Sequence, residues 1–122
     1  MTTTGRIALD VMGGDYAPDN ILKGALLATD PSRDDGLPAE RIVLVGPEAL
    51  IREALAKHDA QDRFAILDAP DVIGMDEKPG IALRSKPKAS IPACMKAIRS
   101  KEASAAVSMG NTGAMVGAAT LI

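Results

Sequence analysis

Aromatic residues are almost absent from this chain of 122 residues, which contains one Tyr, one Phe and no Trp. Proteins that bind single-stranded nucleic acid stack the bases on aromatic side chains, so this composition argues against a nucleic-acid partner. Cysteine and histidine are equally scarce, with one residue of each. A single thiol excludes an internal disulfide and a cysteine-based zinc site, and it is typical of a reducing compartment. Neither a Ser-His-Asp triad nor a Cys-His pair has local support.

Long apolar runs are missing as well. No stretch approaches the roughly 18 consecutive apolar residues that a membrane-spanning helix needs. Residues 1–5 lack the basic start and the apolar stretch of a secretory signal peptide. We therefore expect a cytoplasmic protein that is soluble, or at most peripheral to a membrane.

Short apolar segments alternate with helical patterns along the chain. The predicted strands are residues 6–11, 41–45, 64–68 and 105–109, and the predicted helices are residues 18–29, 47–57, 91–100 and 113–122, with a short helical turn near 79–83. This alternation predicts an α/β fold in three α/β/α layers around a mainly parallel sheet. The last predicted helix is apolar or small on every side, which is typical of a helix inside a larger body. We therefore expect residues 1–122 to be the N-terminal part of a single larger α/β domain.

Two glycine-rich turns each follow a predicted strand and lead into a helix. The first contains Asp10, Gly13, Gly14 and Asp15, and the second contains Ser108, Gly110, Asn111, Thr112 and Gly113. Such turns present free backbone N–H groups and the positive end of a helix dipole, which suit a phosphate or a developing oxyanion. In parallel sheets, ligands bind at the carboxyl ends of the strands. The two turns therefore predict a polar cleft that handles anions.

Each of these residues also has a purely structural interpretation. Asn111 or Thr112 would cap the last helix, a role that is compatible with anion binding because both use the same helix end. Asp10 and Asp15 would form the first turn, or they would act as carboxylates that order a lysine or a substrate. Neither turn contains the G-x-G-x-x-G pattern of dinucleotide sites or the G-x-x-x-x-G-K-[ST] pattern of a P-loop. The sequence therefore predicts no nucleotide cofactor, and it predicts no metal site.

Charge is segregated along the chain. Residues 1–77 carry a net charge of −8, whereas residues 78–101 contain seven basic residues and no acidic one. Four of the basic residues lie in or beside a long predicted loop and are candidates for anion contact: Lys78, Arg84, Lys86 and Lys88. The other three, Lys96, Arg99 and Lys101, have the simpler role of favouring a helix C-terminus.

Four segments resemble, in order, the bacterial phosphate acyltransferases of phospholipid synthesis. They are residues 7–18 (IALDVMGGDYAP), 72–79 (VIGMDEKP), 82–84 (ALR) and 107–114 (VSMGNTGA). In many members a Lys-Lys-Asp-Ser-Ser-like run follows the Ala-Leu-Arg segment. Here residues 85–90 read SKPKAS, in which Lys86 and Ser90 keep their places. Family members are roughly three times as long as this chain, so we expect a remainder that completes the site.

The resemblance implies an enzyme that moves a fatty acyl group from acyl carrier protein to inorganic phosphate. The acyl phosphate would then feed a membrane glycerol-3-phosphate acyltransferase, which implies a place at the inner face of the cell membrane. The resemblance also implies a homodimer, and a fold similar to that of isocitrate dehydrogenase and phosphotransacetylase. No cofactor is implied.

On this basis the sequence predicts roles for its turn residues and its cations. The predicted catalytic residues are Asn111, Thr112 and Lys86, and the predicted phosphate- or substrate-binding residues are Asp10, Gly13, Gly14, Asp15, Lys78, Arg84, Ser108, Gly110 and Gly113. Phosphate is already largely dianionic near neutral pH, so catalysis needs positioning and oxyanion stabilisation more than a strong base. Two alternatives stay open. One is an NAD- or metal-dependent hydroxyacid dehydrogenase of similar layout, and the other is a non-catalytic scaffold that binds anions or a carrier protein.

Overall fold

The computed structural model describes residues 5–122. Its elements, in chain order, are β1 (Ile7–Asp10), α1 (Asp19–Ala28), a 3₁₀ turn (Ala39–Arg41), β2 (Ile42–Gly46), α2 (Glu48–Ala56), β3 (Ala65–Asp68), α3 (Pro79–Ser85), α4 (Ser90–Arg99), β4 (Ala105–Val107) and α5 (Thr112–Leu121). The predicted alternation of strands and helices is confirmed. The short helical turn near residue 79 is a complete helix, α3, and β4 ends two residues earlier than predicted.

The four strands form one parallel sheet in the order β3-β2-β1-β4. The chain steps from β1 through β2 to β3 in one direction and then returns to place β4 on the other side of β1. The direction of winding therefore reverses between β1 and β4. In open α/β sheets such a switch point leaves a crevice beyond the carboxyl ends of the two strands, where ligands bind. Both glycine-rich turns leave the sheet at this point.

Helices cover both faces of the sheet, which confirms the three-layer α/β/α arrangement. On one face α1 and α2 pack on a core that includes Leu22, Leu44 and Ile51. On the other face α4 packs through small side chains, including Ala97 and Cys94. Burial raises the pKa of the Cys94 thiol to about 12. Cys94 is therefore a neutral core residue.

Helices α3 and α5 pack closely because glycines line their contact. A Cβ atom on Gly113 would overlap the ring of Pro79, and one on Gly117 would lie 2.9 Å from Leu83 Cδ1. Within residues 5–122, α5 buries only one side, and Val116 is 63% exposed. None of the helices in this range is long and apolar enough to cross a bilayer.

Candidate functional site

The two glycine turns are in direct contact. We refer to residues 11–18 as the first turn and to residues 108–113 as the second turn. A Cβ atom on Gly13 would lie 2.7 Å from the backbone nitrogen of Gly110 and 2.8 Å from Asp10 Oδ2. Gly14, which has a positive φ of 104°, lies against the side chain of Met109. Only glycine at position 13 permits this approach, so its role in the structure is to bring the turns together.

Asp10 and Ser108 join the two turns by hydrogen bonds. The Ser108 hydroxyl donates to Asp10 Oδ2 over 2.7 Å and accepts the Gly110 N–H over 3.0 Å. The other carboxylate oxygen, Oδ1, accepts the Met12 N–H over 2.9 Å. Asp10 is 1% exposed, so both oxygens are satisfied inside the protein. These are the contacts of a carboxylate that orders the turns.

Asn111 lies at the start of α5 and is 5% exposed. Its Oδ1 accepts the Ala114 N–H over 3.1 Å, which caps the helix. Its Nδ2 donates to the carbonyl oxygens of Gly74, over 3.1 Å, and Glu77, over 2.8 Å. The amide therefore connects the second turn to residues 74–77, and both of its polar atoms have partners in the protein.

The first residues of α5 present backbone N–H groups that lack a partner in the helix. The first four N–H groups of a helix have no intrahelical acceptor. The Ala114 N–H is taken by the Asn111 side chain, and the Met115 N–H by the Asn111 carbonyl. Thr112 and Gly113 are exposed, and their N–H groups have no hydrogen-bond acceptor within residues 5–122. The positive end of the α5 dipole lies at the same place.

An ion pair holds the segment that precedes α3. Lys86 Nζ donates to Glu77 Oε2 over 2.8 Å and to the Val72 carbonyl over 2.7 Å. Glu77 Oε2 also accepts the Gly74 N–H over 2.6 Å. Hydrogen bonds from Lys86 and then from Gly74 hold the pKa of Glu77 below its ordinary value of 4.5. Glu77 is therefore ionised at neutral pH, and the Lys86 ammonium already has two acceptors.

The three predicted phosphate-binding cations occupy different surroundings. Lys86 faces Glu77, whereas Arg84 donates from Nε to the Gly80 carbonyl of its own helix over 3.3 Å. Lys78 is exposed and forms no ion pair within residues 5–122. It directly precedes Pro79, the residue packed against Gly113 at the start of α5. Of the three cations, Lys78 is therefore the one whose neighbour in the chain packs against the start of α5.

The other candidates lie around this arrangement. Asp15 is exposed in the first turn. No group of three or more His, Cys, Asp or Glu side chains within the part of the chain that the structure describes could hold a metal ion. An apolar cavity of about 430 Å³ begins at Asp10 and Met109 and runs along α1 past Gly24. The site therefore has a polar side at α5 and an apolar side at α1.

Sequence reasoning missed the part played by Glu77. Its three partners are a backbone N–H three positions earlier, a lysine nine positions later and the amide of Asn111 on α5. In the sequence, residue 77 lies in the segment 72–79 that carries the family resemblance and directly precedes the basic stretch 78–101, but neither signal indicates these partners.

Residues 5–122 match a family described as "Fatty acid synthesis protein". The chain belongs to this family. It is also similar to phosphate acyltransferases from Gloeobacter violaceus (46% identical over 116 residues, 95% of this chain and 32% of the relative) and Pelotomaculum thermopropionicum (46% identical over 114 residues, 93% of this chain and 32% of the relative). A third, from Pseudomonas savastanoi, is 41% identical over 112 residues, which are 90% of this chain and 32% of the relative. The chain thus spans about a third (32%) of the length of these relatives.

Proposed function

We propose that this chain, as part of the full-length protein, transfers a fatty acyl group from a thioester to inorganic phosphate. The proposal is supported by the start of α5 at the switch point of the sheet in a chain of this family. Exposed N–H groups lie in the first turn of this helix, and Pro79, which packs on Gly113, follows a lysine that forms no ion pair within residues 5–122. Thr112 and Gly113 supply the N–H groups, and Lys78 supplies the charge. This combination suits a doubly charged oxyanion.

The proposed reaction needs little chemistry from the protein. An oxygen of hydrogen phosphate attacks the carbonyl carbon of the thioester, a C–O bond forms and the C–S bond breaks. The thiolate leaves and takes up the proton that the phosphate loses, so the products are acyl phosphate and a thiol. Holding phosphate against the carbonyl supplies much of the rate, and N–H donors stabilise the tetrahedral oxyanion. We assign phosphate to Lys78 and the N–H groups of Thr112 and Gly113. The apolar cavity beside Asp10 gives an acyl substrate an apolar surface next to this centre.

The remaining predicted residues act indirectly in this proposal. Asp10 and Ser108 hold the turns together, which brings Gly13 and Gly110 into contact. Asn111 acts by positioning, because both polar atoms of its side chain have protein partners. Gly14, Asp15 and Arg84 lie at the edge of the site in this proposal and support its structure without contacting phosphate.

The partners follow from the resemblance and from charge. We propose acyl carrier protein as the acyl donor. Residues 78–101 carry seven basic residues and no acidic one, and this charge would complement an acidic carrier protein. We also propose a homodimer without a cofactor that works in the cytoplasm, at the inner face of the membrane. There it would supply acyl phosphate to a glycerol-3-phosphate acyltransferase.

The test uses the full-length protein with an acyl-carrier-protein thioester and inorganic phosphate, and it traps acyl phosphate with hydroxylamine. Parallel reactions use acyl-CoA or omit phosphate. We expect hydroxamate only when phosphate is present. Tight binding of the carrier protein without hydroxamate would favour a scaffold. Reduction of NAD by hydroxyacids would favour a dehydrogenase.

A further inference from the structure

Glu77 connects three parts of the site, and sequence reasoning gave it no role. Its carboxylate accepts the Gly74 N–H over 2.6 Å and the Lys86 ammonium over 2.8 Å. Its backbone carbonyl accepts the Asn111 amide over 2.8 Å. The side chain therefore fixes the segment before α3 to the end of that helix, and the backbone fixes it to the start of α5.

The residue that follows Glu77 is Lys78, the cation assigned to phosphate. Lys78 directly precedes α3 and has an extended backbone. Its side chain is exposed and forms no ion pair within residues 5–122, so contacts of this side chain do not fix its position. Its position is set by its neighbours on both sides. Glu77 is bonded to α3 and α5, and Pro79 packs on Gly113. A shift of the 72–77 segment would therefore move Lys78 relative to the start of α5.

We propose that Glu77 is a positioning residue for phosphate, with Lys86 as its partner, and that Lys86 does not itself bind phosphate. This inference rests on the proposed function. The Lys86 ammonium has its two acceptors inside the protein, at Glu77 and at the Val72 carbonyl. A lysine held in this way contributes order to the segment, while the free charge for an anion comes from Lys78.

A double-mutant cycle in the full-length enzyme distinguishes the two roles of Lys86. The variants are Glu77→Ala, Lys86→Ala and the double variant, with Glu48→Ala as the control. Glu48 forms a comparable exposed pair with Arg52 over 2.9 Å, on α2 in the opposite layer. Residues that act as one pair show strongly non-additive effects.

We expect Glu77→Ala and Lys86→Ala each to raise the KM for phosphate ten- to a hundredfold, with the KM for the thioester unchanged. The double variant should be no worse than either single variant, and Glu48→Ala should match the wild type. If Lys86→Ala were much more damaging than Glu77→Ala and the effects multiplied, Lys86 would bind phosphate directly. If Glu77→Ala behaved like Glu48→Ala, the segment would need no such pair. Either result would overturn the inference.

Hydrogen–deuterium exchange gives a readout that does not depend on activity. The Gly74 N–H is bonded to the Glu77 carboxylate, so Glu77→Ala should speed its exchange at least tenfold, whereas Glu48→Ala should not. Unchanged exchange at Gly74 would overturn the positioning role even in an active enzyme. A wild type that makes no acyl phosphate would instead overturn the proposed function, and the exchange result would still show whether Glu77 holds the segment.

Discussion

The two glycine turns are similar in sequence, but they differ in the structure in how the following helix begins. Each leaves a parallel strand beside the switch point and leads to a helix. The second turn enters α5 at once, and Asn111 caps it so that the N–H groups of Thr112 and Gly113 stay free. The first turn runs on for eight residues before α1 begins without a side-chain cap. The two turns therefore differ in whether a capped helix starts directly at the turn.

The first turn supports the second. Its glycine at position 13 allows contact with Gly110, and the strand before it provides the buried carboxylate of Asp10. Both features act on the backbone of the second turn, directly or through Ser108. We therefore propose that the second turn binds the ligand and that the first turn sets its geometry.

Gly13→Ala should have the largest effect. The new methyl group would meet backbone and carboxylate atoms of a packed region, which costs about 1–3 kcal/mol and pushes the turns apart. In the full-length enzyme we expect turnover to fall at least about a hundredfold. Gly24→Ala is the matched control for stability alone, because position 24 lines the apolar cavity. A Cβ there meets no atom within 4 Å, and the change should stabilise α1 by up to about 1 kcal/mol. Chemical denaturation measures the stability of both variants, and the hydroxamate assay compares Gly13→Ala with the wild type. A Gly13→Ala protein as stable and as active as the wild type would show that the turns need not touch.

Asn111→Ala removes the cap of α5 and both bonds to residues 74–77. We expect a loss of about 1–3 kcal/mol in the free energy of unfolding and about a hundredfold in turnover. Asn111→Ser separates the two functions, because its hydroxyl can still cap the helix but the amide that donates to the Gly74 and Glu77 carbonyls is lost. This variant should recover part of the stability while its turnover stays low. Full turnover in Asn111→Ser would show that the cap alone is needed.

Ser108→Ala should have a smaller effect than the two preceding substitutions, because it removes only the hydroxyl that bridges the two turns. The change leaves Asp10 Oδ2 and the Gly110 N–H without their partner, at a cost of about 1–3 kcal/mol. Ser108→Thr keeps the hydroxyl and should restore most of the loss. Ser85→Ala, whose hydroxyl bonds only to carbonyls of its own exposed helix, should change stability by less than about 0.5 kcal/mol. Thermal unfolding compares the three variants. A Ser108→Ala protein as stable as Ser85→Ala would show that the Ser108 bridge does not stabilise the fold.

The smallest effect concerns pH. The lowered pKa of Glu77 means that its ionised form stabilises the fold fully above its ordinary value of 4.5. This contribution is lost as the pH falls below that value through the lowered pKa. Glu77→Gln should therefore flatten the acid side of the stability profile. Asp30, whose pKa is lowered by hydrogen bonds from Ser32, should keep its own share of the pH dependence in that variant. Denaturation curves between about pH 3 and 7 test this, and identical slopes for both proteins would contradict it.

The fold was largely predictable because its signals are local. The continuous apolar run of β2 and the apolar face of α1 identify a covered parallel sheet without any knowledge of distant contacts. The meeting of the two turns also follows from the sheet, since parallel strands place their carboxyl ends at one edge.

The roles of individual side chains in the site could not be predicted, because they depend on contacts between residues that are far apart in the chain. Asn111 reaches carbonyl groups more than 30 positions earlier, and Lys86 turns to Glu77 across the length of α3. A basic stretch in a sequence shows where cations are concentrated, but not which of them are already paired. In the structure Lys86 is paired with Glu77, whereas Lys78 forms no ion pair within residues 5–122, and this difference alone distinguishes the two lysines.

The most direct test of the account is the KM for phosphate in the full-length Lys78→Ala enzyme. Lys57→Ala, an exposed lysine at the end of α2 in the opposite layer, is the control. We predict that Lys78→Ala raises the KM for phosphate at least about tenfold and leaves the KM for the thioester unchanged, while Lys57→Ala changes neither. A normal KM for phosphate in Lys78→Ala would contradict the assignment of phosphate to the start of α5.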